Sequence, residues 1–257
     1  TGQSVTWKSM DTTVATVDSN GTVTGLNGSV EDAYGHTVNV VIQASAGGKT
    51  AVCTVHVTRE EVDNTVEGFV KRLYRLVLGR VPRNDEVEFW ADILKNHEMS
   101  GTEVAAGFVF SAEYQRKNVS NYQYVYTMYQ TMMGRDPRDD EVAFWQNYLD
   151  AGFTRNFVYE GFANSTEFGR ICGNYGIVQG SYSERSYVDN HEQVTFFVAR
   201  LYQTCLGRNP RTDEAEDWVR RLVEGSFGGR EVAYGFFFSA EFLRQNHSNT
   251  QYVRLLY

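Results

Sequence analysis

The chain contains little cysteine and little proline. Only three of its 257 residues are Cys and only three are Pro. Three cysteines cannot form the disulfide framework that holds many small secreted domains together, so we expect the fold to depend on hydrophobic cores. No apolar run reaches the roughly 18 residues that a membrane-spanning helix needs, so we expect no membrane insertion within this stretch.

Positive charge is also scarce. The 24 Lys and Arg residues are outnumbered by 32 Asp and Glu, which gives a net charge of −8. Nucleic-acid binding favours basic surfaces, so we expect no nucleic-acid partner. What the chain has in excess is aromatic residues, at 14% of the sequence. These could form a ligand-binding surface or a densely packed core, and the composition does not distinguish the two.

Residues 1–58 have the pattern of strands and turns. Asn20-Gly21 separates two short apolar-alternating runs, which predicts a β-hairpin with a type I′ turn. Gly47-Gly48 precedes a second alternating run, in which Cys53, Val55 and Val57 fall on one face. We therefore expect these three side chains to point into the core of a half-buried antiparallel sheet.

This stretch resembles the bacterial Ig-like group 2 (Big2) domain. The resemblance rests on Val5-Thr6-Trp7, on the segment VATVDSNGTVTG that begins at Val14, and on the closing GKTAVCTV that begins at Gly48. Such domains usually carry two more strands before the Trp, so the resemblance implies the C-terminal portion of an Ig-like β domain. It also implies an exported bacterial surface protein.

A helical motif repeats three times after residue 59. Each copy has an apolar residue followed by Tyr, then Gly-Arg-x-Pro, then Trp, then Gly-Phe-x-x-Ser-x-Glu. The glycines of Gly-Arg-x-Pro are Gly79, Gly134 and Gly207, and the tryptophans are Trp90, Trp145 and Trp218. In each copy we expect the glycine to end a helix in a left-handed conformation and the proline to prevent its continuation. Asp85 is the expected N-cap of the helix that follows, and Ser111, Ser165 and Ser239 are expected to cap a short last helix.

The repeats set the predicted domain boundaries. We expect helical units at residues 64–120, 121–168 and 191–249, and residues 250–257 match the start of a fourth. The segment 169–190, rich in Gly, Ser and Tyr, is predicted to be a surface loop or linker. The predicted fold class is therefore multidomain, with an all-β Ig-like region followed by all-α units of short helices. The unequal spacing of the repeated glycines argues against a regular solenoid.

The repeated units resemble the DUF4214 family, through the Tyr, Gly-Arg-x-Pro, Trp and Gly-Phe-x-x-Ser-x-Glu set quoted above. The family occurs in secreted and surface-layer-associated bacterial proteins, and its function is undefined. The resemblance covers most of residues 64–249 and implies an extracellular location, either secreted or attached to the cell wall. A more distant likeness to phycobilisome linker helices is confined to the Tyr and Gly-Arg-x-Pro stretch.

No pattern in the chain predicts catalysis. Arg80, Arg83, Asp85 and Glu86 could contribute to a carboxylate metal site, but each loop has few carboxylates, and we favour helix capping and ion pairing. None of the five His residues lies in a metal-binding motif, and no nucleophile motif occurs. Cys205 is expected in a core, whereas Cys172, in the insertion, could be exposed. We therefore expect neither a metal nor a cofactor.

Aromatics that recur at matched positions in the units are expected in their cores, so the candidate binding residues are the aromatics that break the repeat pattern. Phe157 and Tyr159 stand where the other units have Glu and Ala. Each either packs against a neighbouring unit or awaits a binding partner. Tyr175, Tyr182 and Tyr187 in the insertion are further candidates, because adaptable binding loops are rich in Tyr, Gly and Ser.

The function expected from the sequence is binding to a host or neighbouring macromolecule by a non-catalytic, adhesin-like surface protein. A protein ligand is slightly preferred, and immunoglobulin is one speculative target. A glycan ranks next, because Tyr and Trp faces stack on sugars. The sequence is also compatible with a structural spacer or surface-layer scaffold, and with accessory domains of a larger enzyme.

Overall fold

The computed structural model describes residues 4–12, 14–25, 37–58 and 63–256. The chain divides into two compact regions, Thr1–Asp63 and Asn64–Tyr257. The first contains strands and the second contains helices, so the predicted fold class is confirmed at this level. Residues 26–36, which include His36, lie outside the described residues.

The described part of the β region forms two small antiparallel sheets. Strand β1 pairs with β4 and β4 pairs with β5, while β2 pairs with β3. The strands are β1 (Thr6–Ser9), β2 (Ala15–Val17), β3 (Val23–Gly25), β4 (Thr37–Ala46) and β5 (Lys49–Thr58). The long β4–β5 hairpin turns at Gly47-Gly48, where both residues have positive φ.

The β2–β3 hairpin also forms, but its turn differs from the prediction. Five residues, 18–22, join the paired residues Val17 and Val23, so the prediction of a two-residue type I′ turn is wrong. Gly21 has a φ of 87°, whereas Asn20 does not have a positive φ. The Asp18 carboxylate accepts hydrogen bonds from the amides of Asn20 (2.9 Å) and Thr22 (2.8 Å), which stabilises the longer loop.

The core of the β region is small and lies at one end of the β4–β5 hairpin. Val14, Ala15 and Val40 are buried there, with Val55 and Val57 half-buried against them. Cys53 shares their face but is exposed, so the predicted core position for Cys53 is wrong. The three-residue strands β2 and β3 are too short to cover the rest of the hairpin.

The helical region contains three units of similar design. In each unit a first helix ends in a π turn, and a long second helix and two shorter helices follow. Unit 1 contains α1 (Val66–Leu73), α2 (Asn84–Lys95), α3 (Gly101–Val109) and α4 (Ala112–Gln115). Unit 2 contains α5 (Asn121–Met128), α6 (Asp139–Asp150), α7 (Arg155–Ala163) and α8 (Thr166–Asn174). Unit 3 contains α9 (Tyr187–Asn190), α10 (Glu192–Leu201), α11 (Thr212–Val223), α12 (Gly229–Phe237) and α13 (Ala240–Leu243), and α14 (Asn249–Leu256) follows it.

The residues that end and cap the helices are largely as predicted. The glycines after the three π turns, Tyr74–Leu78, Tyr129–Met133 and Tyr202–Leu206, have φ of 67°, 72° and 67°. Ser111, Ser165 and Ser239 each accept a hydrogen bond from an amide three residues on, at 3.1 Å. Asp85 is not the N-cap of α2, because the helix begins at Asn84 and the Glu86 carboxylate caps the Arg83 amide.

Units 1 and 2 share one hydrophobic core, and unit 3 has its own. An aromatic cluster of Tyr148, Phe153, Phe157 and Phe196 joins unit 2 to unit 3. Unit 2 therefore packs tightly against unit 1 on one side, and contacts unit 3 through rings on another.

The predicted surface loop in the insertion is shorter than expected, and it packs against unit 1. Helix α8 continues to Asn174, and residues 175–186, which we name the strap, run back over unit 1. The carbonyls of Val178 and Gln179 accept hydrogen bonds from the amides of Gly101 and Thr102, both at 2.8 Å. These amides open helix α3 and have no intrahelical partner, so the strap supplies their acceptors.

The insertion cysteine is also not where the sequence suggested. Cys172 is buried in the shared core, and burial raises the pKa of its thiol to about 12. Cys205 is buried in the core of unit 3, as predicted. Both behave as small core residues, since a reactive thiol needs a lowered pKa.

Candidate binding groove

The Gly-Arg-x-Pro motif forms a clasp inside each unit. The Arg80 guanidinium lies 4.7 Å above the Tyr74 ring and donates to Glu86 (2.9 Å) and Glu113 (2.7 Å). The equivalent clasps are Tyr129, Arg135, Glu141 and Glu167 in unit 2, and Tyr202, Arg208, Glu214 and Glu241 in unit 3. The clasp ties the end of the first helix to the second and the last, so the motif has an internal structural role.

Ion pairing in the clasps lowers the pKa of the central carboxylates. The pKa of Glu86, Glu141 and Glu214 is lowered to about 2, chiefly by the hydrogen bonds from the clasp arginines. The predicted capping and ion-pair role of these residues is confirmed. In the described ranges, no three His, Cys, Asp or Glu side chains lie together as a metal site requires.

Two of the predicted binding residues join unit 2 to unit 1. Tyr159 has no exposed surface, and its hydroxyl donates to the Thr102 carbonyl at 2.6 Å. Its ring contacts Phe110 (5.3 Å) and Tyr182 (4.7 Å), and Tyr182 is itself buried. The structure therefore favours packing between units over a waiting ligand surface for both residues.

Tyr175 and Tyr187 are also occupied by contacts within the protein. Tyr175 is buried, with its ring 5.6 Å from that of Phe69. Tyr187 is half-buried, lies beneath the Arg220 guanidinium at 4.2 Å, and contacts the His191 ring. For both residues the structure therefore favours packing against the helices over an adaptable binding loop.

Phe157 is a predicted residue that borders an open cavity. It lies on α7, facing Phe144, Trp145 and Tyr148 of α6 across a groove of about 320 Å³. Phe144 is 54% exposed, and its ring contacts that of Trp145 at 5.1 Å. We name this space the α6–α7 groove. Its size falls within the range of pockets that hold small ligands or single side chains.

A glycine determines the shape of the groove. The Trp145 ring packs so close to Gly161 that a Cβ there would lie 2.3 Å from the ring. Any side chain at this position would push the indole out of place. The same Gly-Phe motif puts Gly107 beneath Trp90 in unit 1 and Gly235 beneath Trp218 in unit 3.

The rim of the groove is polar, and its side chains already make hydrogen bonds within the protein. Arg185 of the strap makes two hydrogen bonds to Glu160, at 2.8 and 2.9 Å, and its guanidinium lies 5.2 Å above the Phe157 ring. Asn164 is used as well, since it donates to the Tyr182 carbonyl and accepts from the Tyr182 amide. An incoming group therefore meets mainly ring faces, with a neutralised ion pair at one edge.

Sequence reasoning missed Phe144, Trp145 and Tyr148. Phe144 and Trp145 recur as Phe89 and Trp90 in unit 1, and recurrence was interpreted as core packing. Phe89 and Phe144 are nonetheless both exposed, so a repeated aromatic can lie at the surface. Tyr148 could have been found, because units 1 and 3 have Ile93 and Arg221 at its position.

Comparison with known proteins identifies one family. Residues 57–118, 105–172 and 179–246 each match a domain of unknown function, DUF4214. The Big2 resemblance of the β region has no counterpart among these matches. No curated protein and no solved structure matches the chain. Within the described residues, no helix combines the length and apolarity needed to cross a membrane.

Proposed function

The chain belongs to the DUF4214 family, and we propose that it is a non-catalytic binding protein whose α6–α7 groove takes apolar side chains of a partner protein. The observation that carries the proposal is the groove itself, where Trp145, Tyr148 and Arg185 surround an open space beside Phe157. Trp, Tyr and Arg are the residue types that dominate binding energy at protein interfaces.

The polar groups of the groove already make hydrogen bonds within the protein, and this favours a protein ligand over a glycan. Both Glu160 oxygens accept from Arg185, and the Asn164 amide is used by the strap. A sugar needs hydrogen-bond partners for its hydroxyls, whereas an apolar side chain needs only contact area. The groove offers area and few free polar atoms, so it fits an aliphatic or aromatic side chain best.

A glycan is the second candidate, and the exposure of one ring favours it. Phe144 is 54% exposed at the mouth of the groove, and its edge-to-face contact with Trp145 leaves one ring face open. An open aromatic face can stack on a pyranose ring through the same apolar contact. Stacking alone gives weak binding, so glycan recognition requires several contacts per chain.

We further propose that the protein is displayed or secreted outside a bacterial cell, where such binding would make it adhesin-like. The support is the resemblance of residues 1–58 to Big2 domains and of the helical units to exported proteins. Protease treatment of intact producing cells tests this location. Digestion of the protein in intact cells supports it, and protection until the cells are lysed contradicts it.

The binding proposal is tested with a phage-displayed random peptide library and a glycan array, using the full chain as bait. We expect enrichment of peptides with aromatic or aliphatic residues. Phe157→Ala should weaken their binding about tenfold or more, since a central contact contributes over 1 kcal/mol. The control is Phe89→Ala, which removes from unit 1 the exposed ring equivalent to Phe144.

The outcomes separate the candidate functions. Binding to glycans alone, lost in Phe157→Ala, favours the second candidate. An equal loss of ligand binding in Phe89→Ala would show that the ligand binds outside the α6–α7 groove. An absence of ligands on both panels contradicts the binding function and favours a spacer, a scaffold or an accessory domain.

A further inference from the structure

The surface of unit 1 that packs against unit 2 has a counterpart in unit 3 with the same residue types. Four positions of unit 1, three in contact with unit 2 or its strap and one in the shared core, have the same residue type in unit 3. The matched residues are Arg72 and Arg200, Gly101 and Gly229, Ala105 and Ala233, and Phe110 and Phe238. Unit 2 differs at all four, with Thr127, Arg155, Tyr159 and Asn164. Units 1 and 3 therefore belong to one type, and unit 2 belongs to another.

In unit 1 three of these residues have a defined contact with unit 2 or its strap, and the fourth, Ala105, is fully buried in the core that the two units share. A Cβ at Gly101 would lie 2.9 Å from the Cys172 sulfur of α8 and 3.1 Å from Ile177 of the strap, so glycine makes room for both. The Phe110 ring lies 5.3 Å from Tyr159. Arg72 donates through its guanidinium to backbone carbonyls of the unit 2 π turn, including that of Thr131 at 3.2 Å.

The same surface on unit 3 is open. Phe238 is 52% exposed and stacks only on its neighbour Tyr234, which is 62% exposed. Gly229 and Arg200 are also exposed, whereas their equivalents in unit 1 are buried or half-buried. Two exposed aromatic rings stacked side by side form an apolar patch of the kind found at interaction surfaces.

Helix α14 indicates what covers this surface. Residues 248–257 are identical to residues 120–129, the start of unit 2, at six of ten positions. The two helices also begin alike. Gln251 accepts from the Ser248 amide at 2.8 Å, as Gln123 does from Ser120 at 2.9 Å.

The packing of α14 is only half complete. Tyr252 already lies against Phe242, with ring centroids 6.1 Å apart. Val253 and Leu256 are 50% and 54% exposed, whereas their equivalents in α5, Val125 and Met128, have no exposed surface. Helix α14 therefore already contacts unit 3, but it lacks the contacts that α5 makes with the rest of the unit 2 core.

We propose that unit 3 is the first half of a second pair, and that its open face receives a helical unit of the unit 2 type whose first helix is α14. The spacing of the motif glycines agrees, since Gly79 and Gly134 are 55 residues apart, and Gly134 and Gly207 are 73 apart. The longer interval contains the strap, which belongs to the second member of a pair. The structural repeat is thus a pair of units, and this surface is independent of the α6–α7 groove.

The test extends the full chain after Tyr257 with a copy of its own residues 130–186, because Tyr257 corresponds to Tyr129. Hydrogen exchange is then measured on residues 229–238. We expect exchange there to slow to the rate of residues 101–110, their equivalents beneath unit 2. An extension with the same residues in scrambled order is expected to leave residues 229–238 unchanged.

A single substitution makes the test specific to the proposed face. Gly229→Arg introduces the residue type that unit 2 has at this position, and it should abolish the protection in the extended chain. In the original chain Gly229 is exposed, so Gly229→Arg should leave the unfolding temperature within error. Protection that survives Gly229→Arg, or no protection with the true extension, overturns the proposal. Concentration-dependent protection in the original chain also overturns it, since a second copy would then be the occupant.

Discussion

Units 1 and 3 have the same internal design but very different surroundings. Both have the clasp, with Arg80 and Arg208 bridging two carboxylates, and both have a Trp packed on a Gly-Phe motif. Phe69 of unit 1 is fully buried, whereas its equivalent Phe197 is only half-buried. The repeated motifs therefore determine how one unit folds, and other residues determine how units pack together.

The largest expected difference between the two units comes from their matched glycines. Gly101→Arg should destabilise the helical region by about 3 kcal/mol or more, because the new side chain meets Cys172 and Ile177 and displaces the strap. Gly229→Arg should change stability by less than about 0.5 kcal/mol, because the site is exposed. Urea unfolding of the two variants measures both values. Equal effects would contradict the contrast between a filled and an open face.

Low pH should weaken the clasp, which all three units share. The pKa of Glu86, Glu141 and Glu214 is lowered to about 2 in the folded state, against an ordinary value of 4.5. A carboxyl with a lowered folded pKa stabilises the protein above its unfolded pKa, and this contribution is lost as pH falls towards the folded pKa. Stability should therefore decline between about pH 4.5 and pH 2.

The acid response is checked by thermal unfolding across that pH range. Glu86→Gln and Glu214→Gln remove one clasp carboxylate each and should both flatten the decline. Similar flattening in the two variants is expected, because the clasps of units 1 and 3 have the same geometry. A decline that neither variant alters would show that other carboxyls are responsible.

A smaller effect is expected for the hydrogen bond that only the pair of units 1 and 2 possesses. Tyr159→Phe removes the hydroxyl that donates to the Thr102 carbonyl, and should cost about 1 kcal/mol. Unit 3 has Ala233 at this position and makes no equivalent contact. Hydrogen exchange should therefore accelerate around Thr102 and leave residues 229–238 unchanged. Faster exchange in both places would indicate that the three units open together.

The sequence was informative where a residue's role is local, and less so where it depends on a neighbour. Gly79 and Ser111 were predicted correctly, because a left-handed glycine and a serine cap act within one helix end. Asp85 was misplaced by two residues from the true cap, Arg83. Tyr182 and Cys172 were misjudged because their burial depends on how the strap packs over unit 1, and no local pattern encodes that contact.

The candidate site was predicted only in part, for the same reason. Phe157 was found as a break in the repeat, and it does border the α6–α7 groove. Phe144 was missed because it repeats in unit 1, and repetition reports a common position without reporting its exposure. Both Phe89 and Phe144 are exposed, so a repeated aromatic position is not by itself evidence of core packing.

The smallest effect is expected at the exposed phenylalanine of unit 3, and its contrast with unit 1 is informative. Phe110→Ser should cost about 2–3 kcal/mol, because its ring packs on Tyr159 and Tyr182. Phe238→Ser should cost less than about 0.5 kcal/mol, because the ring is 52% exposed and its main contact is Tyr234. Unfolding at several protein concentrations measures both. A cost at Phe238 that grows with concentration would mean that a second copy covers unit 3. A constant and small cost means that the face is open, as the comparison with unit 1 requires.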